Sequence, residues 1–473
     1  MRHRAGLLVI AVPLAFAATG AGADVTVSSD PTSNITCSSG VCAPTATNAV
    51  LNVGDLETML ATGNVEVTTT GSGVQANNID IGAKLSWSGA NALALEAYDS
   101  IAVAAKVSVK GAGGLALTTN DGGSGGTLSF GAKGNVTLRH LSSQLVINGA
   151  TYTLVNSVQT LASAITANPN GDYALAGSYD ASGLTQYSPA NSLAGTVEGL
   201  GNTISNLTVR SGGSAGGLVR EIEASGGVEN LTIASLQLSA RTKHTASDFV
   251  GGLASFNFGM LFDDRVTGTI AASGVAFVGG LVSINYGTIA RSFSNAKAQA
   301  ETHPAAMGGL VSENKGSIAG SYASGSVTGG GLGYAGGLVG ANGGSISNSY
   351  ATGSATGAWG DAGGLIGWND NSNNTAFVNS SYSTGQPGQA EDAGGFIGLN
   401  SGSASGLTDC DWDTTTSGTD TGIGHGPHGG LTGLTTQQFQ SGLPAGFDPA
   451  IWAENPEING GLPYLIANPP VKK

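Results

Sequence analysis

Several groups of residues have the types and spacing that chemistry requires. His425 and His428 stand three apart in GIGHGPHGG, a spacing that can seat two imidazoles on one metal ion. No third ligand follows them, and the Gly-Pro setting reads as a loop. Asp409, Asp411, Asp413 and Asp420 match positions one, three, five and twelve of a calcium loop. Thr414 stands where that loop needs glycine and Asp420 where it needs glutamate, so the competing reading is a turn that bonds backbone amides. Asp263-Asp264-Arg265 is the densest polar group in the middle of the chain, either a catalytic carboxylate pair or a solvated turn. Cys37 and Cys42 flank Gly40 in TCSSGVC, which in an exported chain predicts a local disulfide; Cys410 is left over and reads as a buried small apolar residue. Gly-x-Ser-x-Gly and a phosphate loop are both absent. The expectation is a chain with no catalytic, cofactor or metal site.

What would position these residues is a repeat. Gly-Gly-Leu or Gly-Gly-Phe begins at Gly216, Gly251, Gly279, Gly308, Gly336, Gly363 and Gly394, in steps of 35, 28, 29, 28, 27 and 31 residues. A period of this size marks a solenoid, propeller or array. From the second copy on, an asparagine follows four residues after the Leu or Phe: Asn257, Asn285, Asn314, Asn342, Asn369 and Asn400. Side-chain amides at a fixed offset can bond one another from coil to coil, as in stacked identical strands about 4.8 Å apart. Each copy then carries a short β-like run ending in an aromatic, as in Phe293, Tyr322, Tyr350 and Tyr382. Leu338, Val339, Ile346 and Tyr350 are expected to point inward; a carbohydrate-stacking strip is the other use of the aromatic column. Short strands without helical period between them exclude an α/β fold.

The reading is therefore all-β: a right-handed parallel β-helix with a short helical insertion and an irregular C-terminal cap. Residues 24–155 lack Gly-Gly-Leu but alternate with period two between Gly, Ser and Asn turns, as coils do. Val158, Leu161, Ala162 and Ile165 fall on one helical face, which places a short helix in an insertion and connector over 156–209. The repeat coils span 210–406. Residues 407–473, with Trp412, Trp452, Pro463 and Tyr464, are expected to cap the solenoid. At the other end, Arg2 and Arg4, the apolar run from Leu7 to Ala17 and Ala21-Gly22-Ala23 predict a signal peptide over 1–23, with Asp24 as the mature start.

Composition agrees with an elongated exported protein. Gly is 78 of 473 residues and charged residues are only 10%, against about 25% in ordinary domains. Loss of Arg2 and Arg4 with the leader takes the formal charge from −14 to −16. Such a surface repels phosphate backbones and excludes nucleic acid as a partner.

These repeats resemble GLUG motifs, whose core is Gly337-Leu338-Val339-Gly340 and Gly364-Leu365-Ile366-Gly367 here. Asp411-Trp412-Asp413-Thr414-Thr415-Thr416-Ser417-Gly418 and Leu462-Pro463-Tyr464-Leu465 resemble the tail that often follows them. LSWSGANALALEAYDSI, GGLALTTNDGGSGGTLSFG and EGLGNTISNLTV resemble filamentous-haemagglutinin-type exported proteins of Gram-negative bacteria. The resemblance implies secretion or display at the cell surface, an outer-membrane export partner, and adhesion to a glycan or protein on a host or neighbouring cell, by a monomer. GLUG repeats also accompany some metallopeptidases, but His-Glu-x-x-His is absent from this chain. The enzyme alternative is a polysaccharide lyase or hydrolase on the same fold, which requires acids and bases clustered on one face. A third reading is an interaction module of a surface assembly.

Overall fold

The computed structural model describes residues 24–184, 189–211, 215–241, 247–301, 303–331, 333–357, 360–373, 375–402 and 406–470. The expected signal peptide, 1–23, lies outside them. The described chain is mostly strand, wound as a parallel β-solenoid of about 13 turns with four short helices.

One coil shows how the sequence does this. Tyr334–Gly336 forms a short strand, Gly337 and Leu338 turn the corner, and Val339–Asn342 forms a second strand. Ser345–Ser347, Tyr350–Ala351 and Ala355–Gly357 complete the turn. Each strand pairs in register with its equivalents in neighbouring coils, for example Tyr334 with Ala306 and Asp361, and Asn342 with Asn314 and Asn369. Leu338, Val339, Ile346, Ala351 and Ala355 fill the interior.

Two corners explain the residue types. At the Gly-Gly-Leu elbow the backbones nearly touch: a Cβ on Gly340 would lie 2.6 Å from the Met307 nitrogen and 2.7 Å from the Ser312 oxygen. At the second corner Asn230, Asp263, Arg291, Gly320, Asn348, Ser380 and Asp409 all adopt positive φ, between 44° and 57°. The next residue makes a hydroxyl ladder. The Oγ atoms of Ser321, Ser349 and Ser381 accept the backbone N–H of Ser292, Ser321 and Ser349 in the coil before. Cys410 occupies the same column. It is buried, and its thiol donates to the Thr408 carbonyl.

The aromatic column differs from the expectation. Phe293, Tyr322, Tyr350 and Tyr382 stack at 4.7–5.0 Å, but outside the solenoid, in a separate cluster with Phe439, Phe447, Trp452 and Leu465. Ile346 and Tyr350 are four residues apart and would share a face in a continuous strand; the left-handed residue Asn348 between them reverses that parity. The C-terminal segment differs accordingly. Leu407–Asp413, Ile423–His425 and Leu431–Leu434 extend the sheets, while the chain beyond them runs back along the flank rather than over the end. Tyr382 donates to the Pro463 carbonyl at 2.6 Å, Trp452 to Asn348 at 3.1 Å, and Asn468 to the Ser292 and Gly320 carbonyls.

Two further features were not expected. A helix, α1 (Val53–Thr62), capped by Asn52, buries Leu56 and Leu60 beside the first coils. The stack also reverses strand direction once. Leu145–Ile147 pairs antiparallel with Ala150–Val155 through Asn148 and Gly149, both at positive φ, and the later coils continue in the new direction. The stretch 156–209 holds α2 (Val158–Ala167), whose Val158, Leu161, Ala162 and Ile165 are buried, but it also contributes full coil strands rather than only a connector. Buried Asn202 ties the two stacks, donating to the Val136 and Leu175 carbonyls.

Candidate functional site

Cys37 and Cys42 face each other across a hairpin and are joined as a disulfide. The six asparagines form one buried ladder. Asn257, Asn285, Asn314, Asn342 and Asn369 each donate Nδ2 to the Oδ1 of the next, at 2.8–2.9 Å, and Asn400 donates to the Pro427 carbonyl at 2.8 Å. Every amide is thereby engaged with its neighbours, which leaves the ladder a structural device with nothing turned toward a ligand.

The acidic groups behave differently from one another. Asp413 Oδ1 accepts the Thr415 and Thr416 N–H groups and caps a one-turn helix, α3 (Thr414–Ser417); its Oδ2 accepts from Thr436. Asp411 sits on the preceding strand beside the aromatic column, where burial and Asp409 push its carboxyl up to about 7. His425 and His428 are both exposed. Among the described residues no three His, Cys, Asp or Glu side chains converge as a metal site.

Asp263-Asp264-Arg265 is not a solvated turn. Asp263 is 5% exposed and Asp264 fully buried. Asp263 bridges Arg265 at 3.2 Å and Arg291 at 3.4 Å, and the guanidiniums lie over the Phe293 and Phe262 rings. Asp264 takes the place of serine in the corner ladder, with one oxygen on the Leu231 N–H and the other unpartnered. Burial holds its carboxyl well above the usual range. In the two coils before it, Glu229 and Glu198 lie in register; burial and Glu229 push Glu198 up to about 8. Glu198 and Asp264 are interior, Glu229 is half-buried and Asp263 borders a surface cavity; Glu198, Glu229 and Arg291 were not singled out in the sequence.

The outer flank on either side of the Gly-Gly-Leu elbow offers accessible chemistry. On one strand of each coil Phe249, Phe277, Ala306, Tyr334, Asp361 and Asp392 lie in register. On the next strand the column runs Phe256, Ile284, Glu313, Ala341, Trp368, Leu399 and His425. Phe249 packs on Phe256 and Phe277, each at 5.0 Å, and Tyr334 on Trp368 at 4.8 Å. Trp368 donates its indole N–H to Ser401 at 2.8 Å. At the corner beyond, Phe258 and Tyr286 stack within 1° of coplanar, with Lys315 over Tyr286. Phe249 and Phe277, and Phe258 and Tyr286, are stacked along the solenoid axis, whereas Phe249–Phe256 and Tyr334–Trp368 are tilted at 45° and 33°. At about 4.8 Å per coil, the stripe from Phe249 to Asp392 extends roughly 24 Å.

Asp361 and Asp392 close this stripe. Successive coils place the two carboxyls side by side, and burial, Asp392 and Glu391 push Asp361 up to about 6, against a smaller opposing effect of His425. Their position was legible, since each opens an Asp-Ala-Gly-Gly run, but it was not recognised as a pair.

The GLUG motif matches residues 331–356, a range that takes in most of the Tyr334–Gly357 coil described above. No curated protein matches the chain. Among solved structures it is similar to "a putative immunoglobulin A1 protease from Bacteroides ovatus", at 15% identity over 67% of this chain and 93% of that one, with a TM-score of 0.44.

Proposed function

We propose that this is a secreted or cell-surface β-solenoid of a Gram-negative bacterium that works as a monomer by contact rather than catalysis, in the manner of an adhesin. An outer-membrane partner exports it, and the elbow flank binds an extended glycan or protein on a host or neighbouring cell. The observation that carries this reading is the stripe of half-buried rings on this flank, Phe249, Phe256 and Phe277 at one end and Tyr334 and Trp368 at the other, separated by the Ala306–Glu313 coil, an unusual outward use of large apolar side chains in a chain with 6% aromatic residues. Two ring groups set along the axis suit an extended partner that spans several coils better than a single sugar ring. The test is adhesion of the immobilised mature chain to target cells, compared with a Phe249→Ala, Tyr334→Ala, Trp368→Ala triple variant of unchanged melting behaviour. Adhesion should fall at least tenfold, as for loss of hot-spot residues worth ~2 kcal/mol together. Equal adhesion by both proteins would refute it.

The Asp361–Asp392 pair favours a second reading, a carbohydrate hydrolase. The two residues stand on directly paired positions of neighbouring coils, whose backbones lie about 4.8 Å apart, and the raised Asp361 would be the acid. Release of reducing ends from a polysaccharide panel, abolished in both Asp361→Asn and Asp392→Asn, would establish this reading in place of the first.

A further inference from the structure

Where the two stacks meet, a cavity of about 110 Å³ opens between the loop after Phe130 and the second corner of the later coils. Its walls include Phe130 from the first stack and Thr203, Asn230, Thr232, Asp263 and Arg265 from three successive coils of the second. The polar wall is built rather than incidental. Asn230 is 5% exposed, and its side chain is fixed in the wall by its Nδ2 on the Glu198 carboxylate at 3.1 Å. Asp263 is fixed between two guanidiniums.

The wall limits what can occupy the space. An anion would meet the Asp263 carboxylate. A cation would meet Arg265. A wholly apolar group would cover the Asp263 and Arg265 charges and the two threonine hydroxyls without giving them partners, at a cost for each. The occupant must carry donors for Asp263 beside acceptors for Arg265, which has N–H groups beyond the one given to Asp263, and no net charge that would oppose either side of this ion pair. Adjacent hydroxyl groups meet both demands, with Phe130 offering an apolar surface for the carbons between them. A closed cavity of roughly 150 Å³ admits benzene, so this smaller open one takes the edge of a sugar ring and leaves the remainder outside.

We infer that the junction cavity binds the vicinal-diol edge of a neutral hexose, either free or at the end of a glycan. This goes beyond the flank reading and does not depend on it. The experiment is saturation-transfer NMR of the mature chain with D-galactose, D-glucose and D-mannose, repeated on Thr232→Val, which removes one hydroxyl from the wall, and on Ala132→Phe, which fills the mouth from an exposed loop position. One hexose should show transfer, weakened about fivefold by Thr232→Val and lost in Ala132→Phe. An immobilised oligosaccharide ending in that hexose then separates the sources: capture that free hexose fails to compete marks a glycan end, and equal competition marks the free sugar. Absence of transfer from all three hexoses and of oligosaccharide capture, with ordered solvent only in the cavity, would overturn the proposal. So would binding that Ala132→Phe leaves intact.

Discussion

At the scale of single residues, the account rests on amides and hydroxyls that repeat in register. Asn342 accepts from Asn314 and donates to Asn369, both at 2.9 Å. Replacing Asn342 with Ala orphans one group in each neighbouring coil, at about 1–3 kcal/mol apiece. Asn400 also has partners on both sides, Asn369 and the Pro427 carbonyl, so Asn400→Ala is expected to cost a similar amount rather than less. Lys315, 44% exposed and paired with Glu313, is the control and should lie within about 0.5 kcal/mol of wild type. Urea melts of the three variants check this; an Asn342→Ala protein that melts like wild type would remove the ladder from the account. The ladder was legible because its offset from Gly-Gly-Leu is constant. Asp264 was not, because only the structure reveals that it stands in a column of serines, where a carboxylate is out of place. Asp264→Ser should therefore raise the urea midpoint at pH 8, since serine elsewhere in the column donates to the carbonyl two residues back. An unchanged or lower midpoint would contradict that placement.

At the scale of elements, repeat spacing revealed the coils but not which face each side chain takes. Period two works within a strand and fails across a left-handed corner, which is why the tyrosines were expected inside and lie outside. Helix α1 was overlooked because two buried leucines in ten residues, Leu56 and Leu60, are a weak periodic signal amid short strands. The returning C-terminal segment has no local signature, since its docking depends on a surface built from coils up to 176 residues earlier. That segment covers the tyrosines much as a strap would. Trp452, 1% exposed against Tyr350 and Tyr382, is its largest buried anchor. Trp452→Ala should cost about 3–5 kcal/mol of docking energy. The first consequence is local: limited proteolysis should cut within 436–468 and leave the coils intact, and a hydrophobic dye should bind the uncovered rings. Coils and segment lost together at one protease concentration would show that the strap is not a separate unit.

At the scale of the whole molecule, several carboxyls are raised in the folded state: Asp361 to about 6, Asp411 to about 7, Glu198 to about 8, and Asp264 in the same direction, each chiefly by burial. A raised acid favours the protonated folded form. Its contribution is fully present below the unfolded value, near 4, and is lost as pH rises through the folded one. The urea midpoint should accordingly be higher at pH 5 than at pH 8.5, with Glu198→Gln flattening part of the difference; a midpoint that rises with pH would contradict these assignments. The solenoid as a class was legible from glycine content and period. The reversal of strand direction at Asn148-Gly149, and the cavity it creates, were not, because they arise where two stacks meet. The central claim is that this solenoid acts outside the cell, and fractionation of the native bacterium with protease shaving of intact cells tests it most directly. The account predicts a chain beginning at Asp24, found in the medium or digested on intact cells. A full-length chain still carrying residues 1–23, protected until the cells are lysed and recovered with the cytoplasm, would contradict it.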